Sequence, residues 1–326
     1  RPMEPLLACL KTLGTQVIYE GEEGHFPFTL IAKAEETAEE AGRENRRTVT
    51  VDIAHSSQFL SALLIASCCS GRNLDIRVQG THGMAYIDMT VKMMEQFGIM
   101  PQHLNGVSKG ALSTGAEGFR MGQGCYRHQA YEIEPDVSAA CYFYAMAALL
   151  GIEGRVQGVH YDSLQGDVEF LRILERMGCE TKETPEGIVL HGPEKGKLMG
   201  VEADMHACSD QAITLAAIAP YADSPVTITG IGHIRYQESD RLAAIAQELT
   251  RIGIRVQTRE DGLTIYPGQP CPGKIHTYDD HRMAMGFSLT GLRAEGIEID
   301  DPGCCRKTFA QYFEVLDGVL EELIGE

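Results

Sequence analysis

The sequence predicts an α/β (α+β) protein built from a repeated unit of the order strand, helix, strand, helix, strand, strand. The first supporting observation is a glycine that follows an apolar residue at the end of a polar-faced helix. It occurs four times, at intervals of 84, 80 and 75 residues: Leu13-Gly14, Phe97-Gly98, Met177-Gly178 and Ile252-Gly253. Glycine ends helices in this way because it adopts positive φ without strain.

A second observation is that the front half of the unit also repeats. Each copy opens on a small or acidic residue followed by an Ala-rich helix: Ser56-Ser57-Gln58, Asp136-Val137-Ser138, Asp210-Gln211-Ala212 and Asp280-His281-Arg282. A β-rich stretch follows, and a second helix opens near Gly166-Asp167 and near Glu238-Ser239-Asp240.

A third observation is the hairpin that closes each unit. In the clearest case, residues 254–256 and 263–265 are β-rich and the turn between them carries Asp261-Gly262, a dipeptide typical of tight hairpin turns. Helices that begin at the same phase of a repeat point their N-termini toward a common region. Helix N-termini favour anions, because their N–H groups are unpaired and the helix dipole is positive there.

Composition narrows the functional classes. The chain has 326 residues, 44% of them hydrophobic, and a net charge of −18, which argues against nucleic acid or an anionic membrane as a partner. No apolar run is long enough to cross a bilayer, and no signal peptide precedes the first residues. The start lacks a Met and already reads as a helix, which suggests a fragment.

The ten cysteines are predicted to be reduced, buried thiols in a cytoplasmic protein. Cys68-Cys69 and Cys304-Cys305 are adjacent pairs, which rarely bridge one another, and no secretory signal accompanies them. The spacing of His and Cys matches no zinc-binding pattern, so we expect no metal.

Three charged strings exceed what a packed domain needs. They are Glu238-Ser239-Asp240-Arg241, Asp280-His281-Arg282, and Arg306-Lys307 before a helix expected around Phe309. Each could be a simple helix cap or a solvated surface. However, cations in the first turn of a helix oppose its dipole, so we interpret His281 and Arg282 as part of an anion site. Arg241, Arg282 and Lys307 could clamp phosphate and carboxylate groups, while Asp210 and Glu238 could serve as base and acid.

Six motifs in order resemble the 5-enolpyruvylshikimate-3-phosphate synthase family, and the resemblance covers essentially the whole chain. The motifs are Ser56-Ser57-Gln58 with the apolar run behind it, Tyr86-Ile87-Asp88-Met89-Thr90, Asp210-Gln211-Ala212, Glu238-Ser239-Asp240-Arg241, Asp280-His281-Arg282-Met283-Ala284-Met285 and Lys307-Thr308-Phe309. The resemblance implies the enolpyruvyl transferase fold, with repeated βαβαββ units in two domains around an interdomain cleft. Residues 1–134 would be the remainder of the N-terminal domain and 135–326 the C-terminal domain.

The resemblance also implies the reaction and its substrates. The enolpyruvyl group of phosphoenolpyruvate moves to the 5-hydroxyl of shikimate 3-phosphate with release of phosphate, by addition and elimination, in the route to chorismate and the aromatic amino acids. No metal or organic cofactor takes part, and glyphosate competes for the phosphoenolpyruvate site. We expect a cytoplasmic monomer that acts on these small molecules and binds neither nucleic acid nor membrane.

The family's site residues carry over by matching motif. Asp210 and Glu238 would be the base and the proton donor. Shikimate 3-phosphate would be bound by Ser56, Ser57, Gln58, Asp210, His233 and Gln237. Phosphoenolpyruvate would be bound by Arg1, Gln58, Arg241, His281, Arg282 and Lys307.

The sequence departs from the family pattern at four places. Gln237 stands where the family often has Lys, His233 where some members have Asn, and Gly83 or its neighbours where a Ser precedes Tyr86. The family's N-terminal segment, with a Lys-Ser pair, an Arg and an Asn-x-Gly-Thr loop, is absent, so the chain alone could be inactive.

Two alternatives remain open at this stage. The related transferase that acts on UDP-N-acetylglucosamine shares the fold but uses a loop Cys, and none of the ten Cys lies in a convincing Gly-rich loop. A non-catalytic binding module made of the same repeats would use the charged strings only as caps. A nucleotide-binding α/β enzyme lacks support, because neither Gly-x-Gly-x-x-Gly nor a Walker loop occurs.

Overall fold

The computed structural model describes residues 3–32, 46–54, 56–70, 73–81, 83–104 and 118–325. The backbone contacts divide the chain into two compact units, unit 1 (residues 1–131) and unit 2 (residues 132–326). The predicted domains, 1–134 and 135–326, stay a prediction. Of the predicted site residues, Arg1 lies outside the described part of the chain.

Unit 1 contains one complete copy of the predicted repeat. Its elements are α1 Glu4–Thr12, β1 Gln16–Tyr19, β2 Phe28–Ile31, β3 Arg46–Asp52, α2 Gln58–Ser67, β4 Asn73–Gln79, α3 Met84–Gln96, β5 Gln102–His103 and β6 Gly118–Met121. Strands β3, β4, β6 and β5 form a four-stranded sheet in that order. β3 and β4 are parallel, with Val49 opposite Ile76, and β6 is antiparallel to both β4 and β5. The order strand, helix, strand, helix, strand, strand is therefore confirmed.

Unit 2 repeats this topology. Its elements are α4 Val137–Leu150, β7 Glu153–Arg155, α5 Glu169–Arg176, β8 Glu180–Thr184, β9 Gly187–His191, β10 Glu202–Asp204, α6 Ala212–Ile218, β11 Val226–Thr229, α7 Arg241–Arg251, β12 Val256–Arg259, β13 Gly262–Ile265, β14 Gly273–Ile275, α8 His281–Thr290, β15 Ile297–Ile299 and α9 Tyr312–Gly325. The sheet β10-β11-β13-β12 matches the unit 1 sheet strand for strand. β7-β9-β8 and the parallel pair β14-β15 form two smaller sheets.

The first helix of each repeat forms the core of unit 2. Helices α4, α6 and α8 pack on one another, and side chains such as Tyr142, Leu215 and Phe287 are buried. Burying an apolar side chain of this size contributes roughly 1.5–3 kcal/mol. This packing fixes the three helices, and therefore their N-termini, relative to one another.

The predicted helix ends are confirmed. The glycines at 14, 98, 178 and 253 all have positive φ, between 83° and 100°. Asp136, Asp240 and Asp280 cap α4, α7 and α8, each accepting a hydrogen bond from a backbone N–H of the first turn. The start of the last helix was predicted around Phe309, which is wrong: α9 begins at Tyr312. Lys307 ends a 3-10 turn at residues 302–307 instead.

All ten cysteines are free thiols. The prediction that they are buried is wrong for Cys69, Cys125 and Cys271, which are exposed. In the ranges that the structure covers, no helix combines the length and apolar character needed to cross a bilayer. Over the same ranges, no group of three His, Cys, Asp or Glu side chains could hold a metal ion.

Candidate active site

Six charged side chains meet where the helices of unit 2 begin. We call this group the charge cluster: Asp210, Glu238, Arg241, Asp280, Arg282 and Lys307. Asp210 precedes α6, Glu238 and Arg241 lie at the start of α7, Asp280 and Arg282 at the start of α8, and Lys307 precedes α9. Three carboxylates face three cations, so the charges within the cluster are close to balanced.

Arg241 is the centre of the cluster, with only 2% of its side chain exposed. Its Nε donates to Asp280 Oδ2 at 2.7 Å and its Nη2 to Asp280 Oδ1 at 3.2 Å. Nη1 donates to Asp210 Oδ1 at 3.1 Å and to Gln237 Oε1, and Nη2 also donates to Glu238 Oε2 at 2.8 Å. These five bonds use all five N–H donors of a guanidinium. An incoming anion can therefore bind Arg241 only by replacing one of these acceptors.

Arg282 holds the second oxygen of Asp210. Its Nη2 donates to Asp210 Oδ2 at 2.7 Å and lies 3.4 Å from Ser138 Oγ at the start of α4. The Asp210 carboxylate thus bridges two guanidinium groups. A carboxylate held in this way has a fixed direction, which a general base requires.

Glu238 is bound by two cations. Its Oε1 accepts a hydrogen bond from Lys307 Nζ and its Oε2 accepts one from Arg241. Burial acts to raise the pKa of Glu238, but the hydrogen bond from Lys307 and the charge of Arg241 outweigh burial and lower the pKa to about 2. In this state Glu238 is ionised at neutral pH, so it has no proton to donate.

His281 lies beside the cluster at the first position of α8. Burial, followed by the positive charge of Arg282, lowers the pKa of His281 to about 4; Asp280 opposes this, while Arg241 and Lys307 add to it. The ring is therefore neutral at physiological pH. A neutral His281 can accept or donate a hydrogen bond without adding charge to the cluster.

A buried carboxyl group supports the cluster from the start of the fifth helix. Asp167 lies just before α5, is 6% exposed, and its Oδ2 accepts a hydrogen bond from Ser138 Oγ. Burial and the negative charge of Asp210 raise the pKa of Asp167. All six helix starts of unit 2 thus contribute a residue to one region, which is the convergence that the repeat predicts.

Two further predicted binding residues lie next to the cluster. Gln237 contacts Arg241, as described above. His233 Nε2 lies 2.9 Å from Ser209 Oγ, and Ser209 directly precedes Asp210. Gln237 therefore lies against Arg241, and His233 lies against the residue that precedes Asp210.

Three predicted residues lie at the start of α2 in unit 1. Ser57 is the N-cap residue and is buried, Ser56 is half-buried and Gln58 is exposed. Gly83, the N-cap residue of α3, has φ +64°, and a Cβ on it would lie 2.4 Å from Ser57 Oγ. A serine at position 83 would therefore push Ser57 aside, which gives a physical reason for glycine there.

Sequence reasoning missed two contributions to the site. Asp280 was predicted only as a helix cap, yet it is fully buried and is the bidentate partner of Arg241. Ser138 was recognised only as part of a helix start. Both residues occupy the same repeat phase as Asp210, and that phase was the signal that could have identified them.

Comparisons with known proteins agree with this geometry. A family profile for EPSP synthase (3-phosphoshikimate 1-carboxyvinyltransferase) matches residues 1–316. The chain is 39% identical over 324 residues to the 3-phosphoshikimate 1-carboxyvinyltransferase of Nostoc punctiforme, covering 99% of this chain and 71% of that protein. It is 40% identical over 316 residues to the same enzyme of Trichormus variabilis, covering 96% and 69%.

The fold also matches solved structures. EPSP synthase from Acinetobacter baumannii superimposes with a TM-score of 0.73 at 24% identity, covering 97% of this chain and 70% of that one. This likeness supports the predicted fold class independently of the sequence motifs.

Proposed function

This chain belongs to the EPSP synthase family, and on that premise we propose that the charge cluster of unit 2 carries out the proton transfers of enolpyruvyl transfer. The reaction of the family moves the enolpyruvyl group of phosphoenolpyruvate to the 5-hydroxyl of shikimate 3-phosphate and releases phosphate. The UDP-N-acetylglucosamine reaction and the non-catalytic module are both disfavoured by this membership.

One observation carries the proposal. Asp210 and Glu238 bind the same buried guanidinium, that of Arg241, while each also holds a second cation, Arg282 or Lys307. The proposed base and the proposed acid thereby share one guanidinium, and each lies against a second cation. Such preorganised charge is usually the largest contribution to catalysis.

The proposed chemistry has two balanced steps. In the first, Asp210 takes the proton of the 5-hydroxyl while the oxygen of that hydroxyl bonds to C2 of phosphoenolpyruvate. Glu238 gives a proton to C3, which becomes a methyl group. In the second, the C2–O bond to phosphate breaks, the ionised Glu238 takes back one proton from the methyl group, and Asp210 gives its proton to the departing phosphate. The sum is one enolpyruvyl ether and one phosphate.

Glu238 must change partners before it can act as the acid. With Lys307 and Arg241 bound, its pKa is about 2. The carboxylate and phosphate groups of phosphoenolpyruvate are suited to the same cations. When these groups replace Glu238, the cause of the low pKa is removed and the negative charge of the substrate favours a protonated Glu238. Substrate binding therefore causes Glu238 to take up the proton that it donates in the first step.

The binding roles remain as the motifs assign them. Shikimate 3-phosphate is bound by Ser56, Ser57, Gln58, Asp210, His233 and Gln237. Phosphoenolpyruvate is bound by Arg1, Gln58, Arg241, His281, Arg282 and Lys307. We further assign the protein to the cytoplasm, as a monomer, with units 1 and 2 corresponding to the two family domains.

The function is tested by phosphate release and ligand binding on the whole gene product. Phosphoenolpyruvate with shikimate 3-phosphate should yield one phosphate per enolpyruvyl ether, and phosphoenolpyruvate with UDP-N-acetylglucosamine should yield none. A thermal-shift titration should show stabilisation by shikimate 3-phosphate that increases when phosphoenolpyruvate is added. The assignment would be overturned if phosphoenolpyruvate released phosphate with the UDP sugar but not with shikimate 3-phosphate.

A further inference from the structure

A buried carboxylate on α7, outside the charge cluster, holds the segment that leads into α8. Glu248 has no exposed surface. It accepts hydrogen bonds from Arg251 Nε at 2.9 Å, from the backbone N–H of His276 at 3.0 Å and from the hydroxyl of Tyr278 at 2.6 Å. Two of these donors belong to the segment between β14 and α8.

Glu248 and Arg241 lie on the same face of α7, because residues seven apart stand two turns above one another. Arg241 holds Asp280, while Glu248 holds His276 and Tyr278. The segment 276–280 is thus fastened to α7 at both of its ends.

The backbone between these two fastening points is strained. Tyr278 and Asp279 both have φ +56°, the left-handed conformation that disfavours residues with a Cβ and persists only where the surroundings enforce it. Asp300 supports the same segment, accepting the N–H of Thr277 at 3.0 Å and lying 2.7 Å from His276 Nδ1. The carboxylates of Glu248 and Asp300 thereby accept hydrogen bonds from the backbone N–H groups of two successive residues.

The strained turn decides where the next residues point. The Asp280 N–H closes the turn onto the Thr277 carbonyl at 2.9 Å. Asp280 then binds Arg241 with both oxygens, and Arg282 Nη2 reaches Asp210 at 2.7 Å. A shift of the turn would also move Asp280, His281 and Arg282, because these three residues follow the turn directly and form the start of α8.

We propose that Glu248 is a positioning residue for the transfer reaction, because it holds the left-handed Tyr278–Asp279 turn and thereby sets the place of Asp280 and Arg282 in the charge cluster. This inference rests on the proposed function of the cluster. Glu248 contacts neither reacting group itself, and it acts through the turn.

The structural test uses His281 as a reporter. In the wild type, its imidazole should titrate near pH 4 in an NMR pH series. In Glu248→Gln, the turn should loosen, water should reach the ring, and the midpoint should move toward 6.5. Gln247→Ala is the matched control, because Gln247 is the exposed neighbour that also lies near the Tyr278 hydroxyl, and it should leave the midpoint unchanged.

The functional test compares rates of phosphate release. Glu248→Gln should lower kcat about 10- to 100-fold, the order expected for a displacement of about 1 Å in an active site, and Gln247→Ala should stay within about twofold. In an Arg282→Lys background, Glu248→Gln should lower kcat by a smaller factor, because the guanidinium group that Glu248 positions is already absent.

The outcomes separate this inference from the proposed function. A folded Glu248→Gln variant with the wild-type kcat and a His281 midpoint near 4 would overturn the positioning role. If that variant does not fold, Tyr278→Phe decides: it should lower kcat several-fold and raise the His281 midpoint, and no change in either would overturn the role. A wild type that releases no phosphate, with a His281 midpoint that still responds to Glu248→Gln, would instead refute the function.

Discussion

Replacing Glu238 with Gln lowers the rate of phosphate release by about 10²- to 10⁴-fold, the range that a positioned general acid contributes. Glutamine keeps the size of the side chain but has no proton of the required acidity. The measurement is a steady-state assay with both substrates. Glu260→Gln, on the exposed turn between β12 and β13, is the control and should leave the rate unchanged. A Glu238→Gln rate within threefold of the wild type would exclude Glu238 as the acid.

The same variant should bind anions more tightly. In the wild type, the Glu238 carboxylate competes with the substrate for Lys307 and Arg241, and its release is accompanied by proton uptake. Calorimetric titration of phosphoenolpyruvate in two buffers of different ionisation enthalpy should therefore show proton uptake by the wild type and a smaller uptake by Glu238→Gln. Weaker binding by the variant would show that Glu238 does not occupy the anion position.

Replacing Asp280 with Asn destabilises the protein by about 1.5–3 kcal/mol, the range for lost hydrogen bonds to a charged group, because Arg241 keeps Asp210 and Glu238 as partners. Asn caps helices about as well as Asp, so the cap of α8 is kept. The loss of stability therefore measures the interaction of Asp280 with Arg241, which is 2% exposed. The measurement is the free energy of unfolding from urea denaturation.

Asp136→Asn is the matched control for this change. Asp136 caps α4 by accepting the Ala139 N–H at 3.0 Å, and it is exposed. Its replacement should cost less than about 1 kcal/mol. Equal losses for Asp136→Asn and Asp280→Asn would mean that the pair with Arg241 contributes no more than a helix cap.

Much of the fold followed from local rules. The repeat predicted the order of strands and helices because the same glycine and acidic signals recur at matched positions, and these mark helix ends whatever the tertiary context. The start of α9 was placed three residues too early. Phe309 lies among the rings of Phe143 and Tyr312, so its packing is tertiary and leaves no local boundary signal.

The charge cluster was only partly predictable. The sequence indicates which residues lie at one repeat phase, and the structure brings Asp210, Glu238, Arg241, Arg282 and Lys307 together. The sequence does not indicate that Arg241 uses all its donors internally, since that depends on distances between three separate helix starts. Nor does it reveal the left-handed Tyr278–Asp279 turn, because neither residue type signals that conformation strongly. Such features arise from long-range packing.

The central claim is that transfer proceeds by protonation of the phosphoenolpyruvate methylene carbon to a methyl group, with an acidic side chain of the charge cluster as the proton donor. Running the reaction in D₂O tests it most directly, because the acid exchanges its proton with solvent and the intermediate carries a methyl group. Mass spectrometry of the enolpyruvyl product should show deuterium in the methylene group. A product formed in D₂O with no deuterium at that carbon would contradict the account.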